Sequence, residues 1–292
     1  MAGQRAATSQ VRLDRPPAII SSYLRALAKR SARDPDGALP PAGLLLTGVV
    51  ADPSRLAAYN AVCGYPPGGT LPPAYPHVLA FPAALALMTR RDFPLPVLGL
   101  VHVANRITVR RPIAADEPLT LRVSAAGRRA DPAGTAFDIV ARAAAGQETV
   151  WESVSTYLHR GPKNPGTVGR RRAAPPTVDG EPESWPVPAD TGRRYAAASG
   201  DRNPIHLHAL TARLFGFRTA IAHGMWAKAR VLAALAPRLP GVVTGAYTVD
   251  VTFRAPIPLP SSVRLTSAGP RFALTTPDGR RTHLYGEVKP AD

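Results

Sequence analysis

Tyr195-Ala-Ala-Ala-Ser-Gly-Asp-Arg-Asn-Pro-Ile-His206, followed by Ala222-His-Gly-Met225, is the stretch on which the reading of this chain turns. Asp201 and His206 stand five residues apart across Asn203-Pro204. That dipeptide bends the chain, so a carboxylate and an imidazole can face one pocket and move protons there. Ser199 and Gly200 end the preceding helical turn, with Gly200 expected to supply the left-handed termination. His223-Gly224-Met225 opens a further helix, where unpaired backbone amides and the positive end of the helix dipole collect. Gly224 has no side chain to keep a carbonyl oxygen away, so its amide is the candidate oxyanion donor.

Outward from this stretch, Gly224 to Ala236 reads as an Ala- and Leu-rich helix stopped by Pro237. Val249, Val251 and Phe253 then alternate with Asp250, Thr252 and Arg254, the period of a half-buried strand. Val263–Leu265, Phe272–Leu274 and Leu284–Val288 continue a meander, with turn material such as Thr276-Pro-Asp-Gly279 between. The first half has the same order: a helix near Ala83 to Arg90, then strands near Val101–Arg110, Leu119–Ala125, Thr135–Ala143 and Val150–His159. Short matches line up as well. Tyr59-Asn-Ala-Val-Cys-Gly64 echoes Tyr195 to Gly200, Ile107 to Ile113 echoes Val251 to Ile257, and Leu121 to Gly127 echoes Val263 to Gly269. Their common order, at offsets between 136 and 144 residues, points to a duplication. One helix followed by an antiparallel meander suits an α+β unit in which a sheet wraps a helix.

The run from Tyr195 to Met225 resembles the hydratase 2 motif of the MaoC-like hydratases and dehydratases. This resemblance implies a double hotdog, two antiparallel sheets each wrapped around a central helix and fused in one chain. It also implies a lyase that interconverts trans-2-enoyl and (3R)-hydroxyacyl thioesters in fatty-acid metabolism. Asp201 and His206 would then bracket a water, Gly224 would face the thioester oxygen, and Ser199, Gly200, Asn203 and His223 would support them, His223 in a structural role. Arg213 and Arg218, between motif and helix, are candidates to meet the phosphates of CoA or an acidic acyl carrier protein. No cofactor and no metal is implied, and a homodimer is left open.

The first half departs from the motif. After Gly64 comes Tyr65-Pro-Pro-Gly-Gly, and Phe81-Pro82 is expected where His223-Gly224 stands, opening the helix of that half. Proline has no amide to donate, so this half is expected to be catalytically silent. Relatives of this kind use the silent half to shape the acyl pocket.

The expected organisation is an N-terminal extension (1–40), a silent repeat (41–160), a basic Pro/Gly-rich linker (161–185) and a repeat carrying the motif (186–292). Within the extension, Ile20, Tyr23, Leu24 and Leu27 follow helical spacing and are expected to pack as an apolar face on the fold. The chain carries 36 Lys and Arg against 20 Asp and Glu, a formal +16 that favours anionic partners. Its basic linker lacks interleaved aromatics, so no nucleic-acid partner is expected. A single cysteine, Cys63, excludes an internal disulfide and fits a reducing cytoplasm. No apolar run is long enough for a membrane span. His77, His102, His159, His208 and His283 show no metal-ligand spacing. Two rival classes share parts of this pattern: a hotdog acyl-thioesterase, and a non-catalytic module that binds acyl thioesters or nucleic acid. The first would need a carboxylate acting on water at C1, and the Asp-x-Asn-Pro-x-His run argues against it; the second leaves the Asp201/His206 pair unexplained.

Overall fold

A computed structural model describes residues 9–28, 37–161, 174–239 and 245–291. In the first half, β2 (Gly43–Val49) leads into α2 (Pro53–Cys63) and α3 (Tyr75–Met88). Four strands follow: β3 (Leu100–Val109), β4 (Leu119–Asp131), β5 (Gly134–Ala145) and β6 (Glu148–Arg160). The second half repeats the order with β7 (Glu183–Val187), α4 (Thr191–Ser199), a short α5 (Ala209–Arg213) and α6 (Gly224–Leu235). Its strands are β8 (Tyr247–Phe253), β9 (Ser261–Ala268), β10 (Arg271–Thr275) and β11 (Thr282–Pro290). The N-terminal extension contributes β1 (Gln10–Leu13) and α1 (Ile19–Ala28).

The duplication is visible in the sheet, whose strands run β1-β2-β4-β5-β6-β3-β8-β11-β10-β9-β7. Apart from β1, the order on one side of the β3–β8 seam mirrors that on the other. At the seam, Ala104 to Val109 pair antiparallel with Thr252 to Tyr247. The two hotdog sheets thus join edge to edge, and neither half leaves its seam strand unpaired. β1 adds to β2 in parallel, a strand that the sequence did not suggest.

α6 is fixed to the seam by Lys228, whose fully buried ammonium donates to Asn105 Oδ1 (2.6 Å), Asn105 O (3.1 Å) and Val249 O (3.1 Å). Asn105 in turn donates to Ser153 and Ser155 on β6. A buried cation is tolerable only with such a set of acceptors. On its other side α6 meets α2, where Trp226 Nε1 donates to Val62 O at 2.9 Å. One apolar cluster spans both halves, from Leu44 and Trp151 to Phe272 and Leu284.

Three expectations need correction. The first-half central helix starts at Tyr75, six residues before Phe81, so Phe81-Pro82 is mid-helix and not its opening. Pro82 forfeits its own amide bond and its ring crowds the Val78 carbonyl one turn back, but a helix buried on nearly every side keeps its packing despite that cost. The helix of the extension also turns another face inward. Ser22 and Ala26 are buried, Tyr23 is half-buried, and Ile20 and Leu24 are exposed. Small residues let α1 approach α3 closely, which wins over burying the larger side chains. β7 begins at Glu183, inside the stretch expected to be linker; residues 162–173 of that stretch lie outside the described residues. Cys63 needs no correction: it is buried against Tyr59, and burial raises its thiol far above the ordinary range, which suits a packing residue and not a nucleophile.

Candidate active site

The motif loop is built by its own backbone. α4 ends at Gly200, whose φ of 81° and ψ of −6° are left-handed, with its amide returned to Ala196 O. The left-handed φ favours glycine there, and a Cβ would lie 2.5 Å from Ile19 Cδ1 of α1, which would have to move aside. Ser199 Oγ accepts the Asp201 amide at 3.2 Å. Asp201 Oδ1 accepts the Asn203 amide at 3.2 Å, and Asn203 Oδ1 accepts the Ile205 amide at 3.5 Å. Two successive side-chain turns therefore carry the chain into the one-turn helix Pro204–His206.

This geometry brings Asp201, His206 and His223 together: each offers an atom, and the three atoms lie within 4.8 Å of one another. His206 is buried, and its Nδ1 is 2.8 Å from Ile221 O. A carbonyl only accepts, so Nδ1 carries the proton and Nε2 holds a lone pair. His223 Nε2 likewise donates to the Asp201 backbone carbonyl at 2.9 Å and stands 3.9 Å from Asp201 Oδ2. The imidazoles stack with centroids 3.7 Å apart and planes 27° from parallel. Among the described residues this is the grouping that could be asked to hold a metal. His206 Nδ1 and His223 Nε2 are already committed to backbone carbonyls, which leaves each ring only its other nitrogen to offer a metal.

Electrostatics separate the pair. Burial, then the neighbouring His223, depress His206 to about 3, so its imidazole is neutral near pH 7. For Asp201, burial works to raise the carboxyl. His223, His206 and the hydrogen bonds from Tyr23 and the Asn203 amide overcome it and hold the group below the usual carboxylate range. A neutral imidazole with an open Nε2 and an ionised carboxylate thus share one site. In front of them stands the N-terminal end of α6, where His223 makes no side-chain cap. Gly224 opens that helix, and a Cβ on it would sit 3.1 Å from the Phe253 ring.

Residues of the first half come near Asp201 as well. His102 on β3 packs against Phe253 (5.0 Å between centroids), Tyr157 on β6 (4.7 Å) and His77 on α3 (6.4 Å). Burial depresses His77 to about 4 and His102 to about 3. Arg213 and Arg218 are exposed; Arg213 Nε donates to Arg218 O at 3.4 Å, and neither bonds a motif side chain. Sequence reasoning missed His77, His102, Tyr157 and Phe253 because the β3–β8 seam, not chain proximity, places them. It also missed Tyr23, whose hydroxyl donates to Asp201 Oδ1 at 2.7 Å from 178 positions away.

The model of the MaoC like domain matches residues 168–269. The chain is 38% identical over 220 residues to 3-hydroxyacyl-thioester dehydratase X of Mycobacterium tuberculosis, covering 73% of this chain and 75% of that protein. The crystal structure of HtdX from Mycobacterium tuberculosis superposes with a TM-score of 0.74 at 34% identity, over 85% of this chain and all of that one. A further Mycobacterium tuberculosis protein, described as a double hotdog, matches in fold alone, with a TM-score of 0.52 and 13% identity over 84% of this chain and 95% of its own. With these relatives, a double-hotdog sheet and the Asp201/His206 loop in place, the chain belongs to the MaoC-like dehydratase family.

Proposed function

We propose that this chain reversibly removes water from (3R)-hydroxyacyl thioesters to give trans-2-enoyl thioesters, carried on CoA or an acyl carrier protein. The observation that carries the reading is the convergence of an ionised Asp201 and a neutral His206, its Nε2 open, within 4.8 Å at the end of α6. A gap of that size suits a water, or a substrate hydroxyl in its place, bound by both groups.

In the hydration direction, water held between the two is attacked by the base as its oxygen adds to C3. The resting pair holds no transferable proton, because Asp201 is ionised and the only proton of His206 is tied to Ile221. The proton leaving water is therefore the one that the pair returns to C2, on the same face. As C3–O forms, negative charge moves to the thioester oxygen, where the Gly224 amide and the α6 dipole lower its energy. Dehydration runs the same relay backwards: C2 loses its proton to the pair, which then protonates the departing hydroxyl. His223 is a positioning residue that ties its ring to the Asp201 carbonyl. Asn203, Ser199 and Gly200 shape the loop, and Arg213 and Arg218 are exposed where phosphates of a carrier could meet them.

The first half has no counterpart of this set. Between Gly64 and α3 it carries no Asp or His, and Pro76 at the start of α3 has no amide to offer. We read one active site per chain. Incubation with crotonyl-CoA and with a long trans-2-enoyl-CoA, following loss of enoyl absorbance and then product configuration, tests the activity. A (3R) product without release of free CoA is expected. A (3S) product, thiol release, or no turnover of any enoyl thioester would overturn it.

A further inference from the structure

We propose that Tyr23, delivered by the N-terminal helix α1, is a positioning residue of the active site that orients the Asp201 carboxylate for the proton relay. This rests on the reading of Asp201 as one of the proton-transfer pair. The contact is specific: the phenol donates to Oδ1 at 2.7 Å, the shortest bond that this carboxylate makes. The site's other hydrogen-bonding side chains come from the C-terminal repeat, whereas Tyr23 comes from outside both repeats.

The helix that carries Tyr23 is seated on the motif itself. Ile19 packs where a Gly200 Cβ would be, Ser22 and Ala26 are buried, and α1 lies against α3. Such seating leaves Tyr23 little choice of rotamer, so its hydroxyl is presented rather than merely available. The choice of residue type follows from the chemistry. Asp201 must expose Oδ2 to the reacting water while Oδ1 is held still, and a donor with no competing charge does this without neutralising the carboxylate. Burial and the adjacent anion push the phenol far above its ordinary range, so Tyr23 keeps its proton and only donates it in a hydrogen bond. Apart from the two imidazoles, the groups that favour the ionised carboxylate are the hydrogen bonds from Tyr23 and the Asn203 amide.

The titratable and charged groups around Asp201 are Tyr23 from α1, Arg55 from α2, His77 from α3, His102 from β3, Tyr157 from β6, Tyr195 from α4, His206 and Arg202 from its own loop, and His223 at the start of α6. Of these only Tyr23 is removed by Tyr23→Phe, which keeps the ring and the seating of α1. Steady-state hydration of an enoyl-CoA over a range of pH should show kcat falling roughly tenfold, as loss of a bond to a charged group implies. The acid limb of kcat/KM should rise by about one pH unit. Incorporating 3,5-difluorotyrosine at position 23, a stronger donor of nearly the same shape, should move the acid limb the other way with α1 undisturbed. A merely structural Tyr23 would leave both limbs in place. Asp201→Asn, run alongside, separates the two ideas. If it retains activity, the assignment of the pair fails and this inference with it. If it collapses while the Phe variant keeps a wild-type rate and acid limb, or the fluorinated chain does not shift, Tyr23 has no such role.

Discussion

The two halves share an element order and nearly the same helix ending, Gly64 at φ 80° and Gly200 at φ 81°, yet they part company at the next residue. In the second half the left-handed turn releases Asp201-Arg-Asn-Pro-Ile-His206, whose side chains bond back to the loop and hold a carboxylate beside an imidazole. In the first half it releases Tyr65-Pro-Pro-Gly-Gly, and the neighbouring cleft of about 400 Å³ is lined mainly by apolar groups such as Pro66, Leu71, Leu232, Leu235 and Val288. The central helices differ in the same sense, one opening on Gly224 and the other on Tyr75-Pro76. The difference teaches that the scaffold persists through duplication while the chemistry, on the proposed reading, resides in a few loop residues and one helix terminus. The first half still reaches the motif, since His77, His102 and Tyr157 pack together and each lies near enough to Asp201 to feel its charge.

The sharpest way to break this comparison is to make matched changes. Asp201→Asn or His206→Ala should lower kcat/KM by roughly 10² to 10⁴ fold with the fold retained, the usual worth of positioned acid–base groups. Tyr65→Phe and Thr70→Ala, in the corresponding loop of the first half, should stay within a factor of two or so of wild type. Equal losses on both sides would mean that the halves share the chemistry. Next comes the helix terminus. Proline is tolerated at a first helical position, so Gly224→Pro removes an amide while keeping the helix start. A fall on the order of 10² to 10³ fold in kcat is expected, plus whatever the Phe253 ring must give. Circular dichroism and steady-state kinetics together decide it: an active, folded variant would remove the Gly224 amide from the account.

How much of this could be read from the chain follows from distance. The motif is local, so Asp201, Asn203, His206 and Gly224 could be named from spacing and turn chemistry. The strands of both meanders were placed within a few residues because each half-buried strand alternates. The start of α3 was misplaced because proline usually marks a helix opening, whereas here the tightly packed surroundings of Pro82 hold the helix together. Tyr23 was assigned to an apolar face, since periodicity reports amphipathicity and not which neighbour a hydroxyl meets across 178 positions. His102 and Tyr157 reach the site only through the strand seam, a pairing between halves that no local pattern encodes.

A smaller effect concerns acid. His77 is depressed to about 4 and His102 and His206 to about 3, each chiefly by burial. An unfolded chain with ordinary imidazoles takes up protons that the folded chain refuses, so stability is full above about pH 6.5 and declines as pH falls toward about 4. The slope can reach about 1.4 kcal/mol per pH unit for each imidazole. Denaturant midpoints measured from about pH 7.5 down to 5 should fall accordingly, and His102→Phe, in the first half, should make the fall shallower. An unchanged midpoint would mean that these rings are not held neutral.

The central claim is that one half of a duplicated fold carries the proton-transfer pair, so that each chain has one site. Calorimetric titration of the intact chain with a saturated acyl-CoA, which can bind but not be hydrated, tests it directly. One ligand per chain is expected, weakened by changes around Asp201 and indifferent to those at Tyr65 and Thr70. Two equivalent ligands per chain, or binding lost through the first-half loop alone, would contradict it.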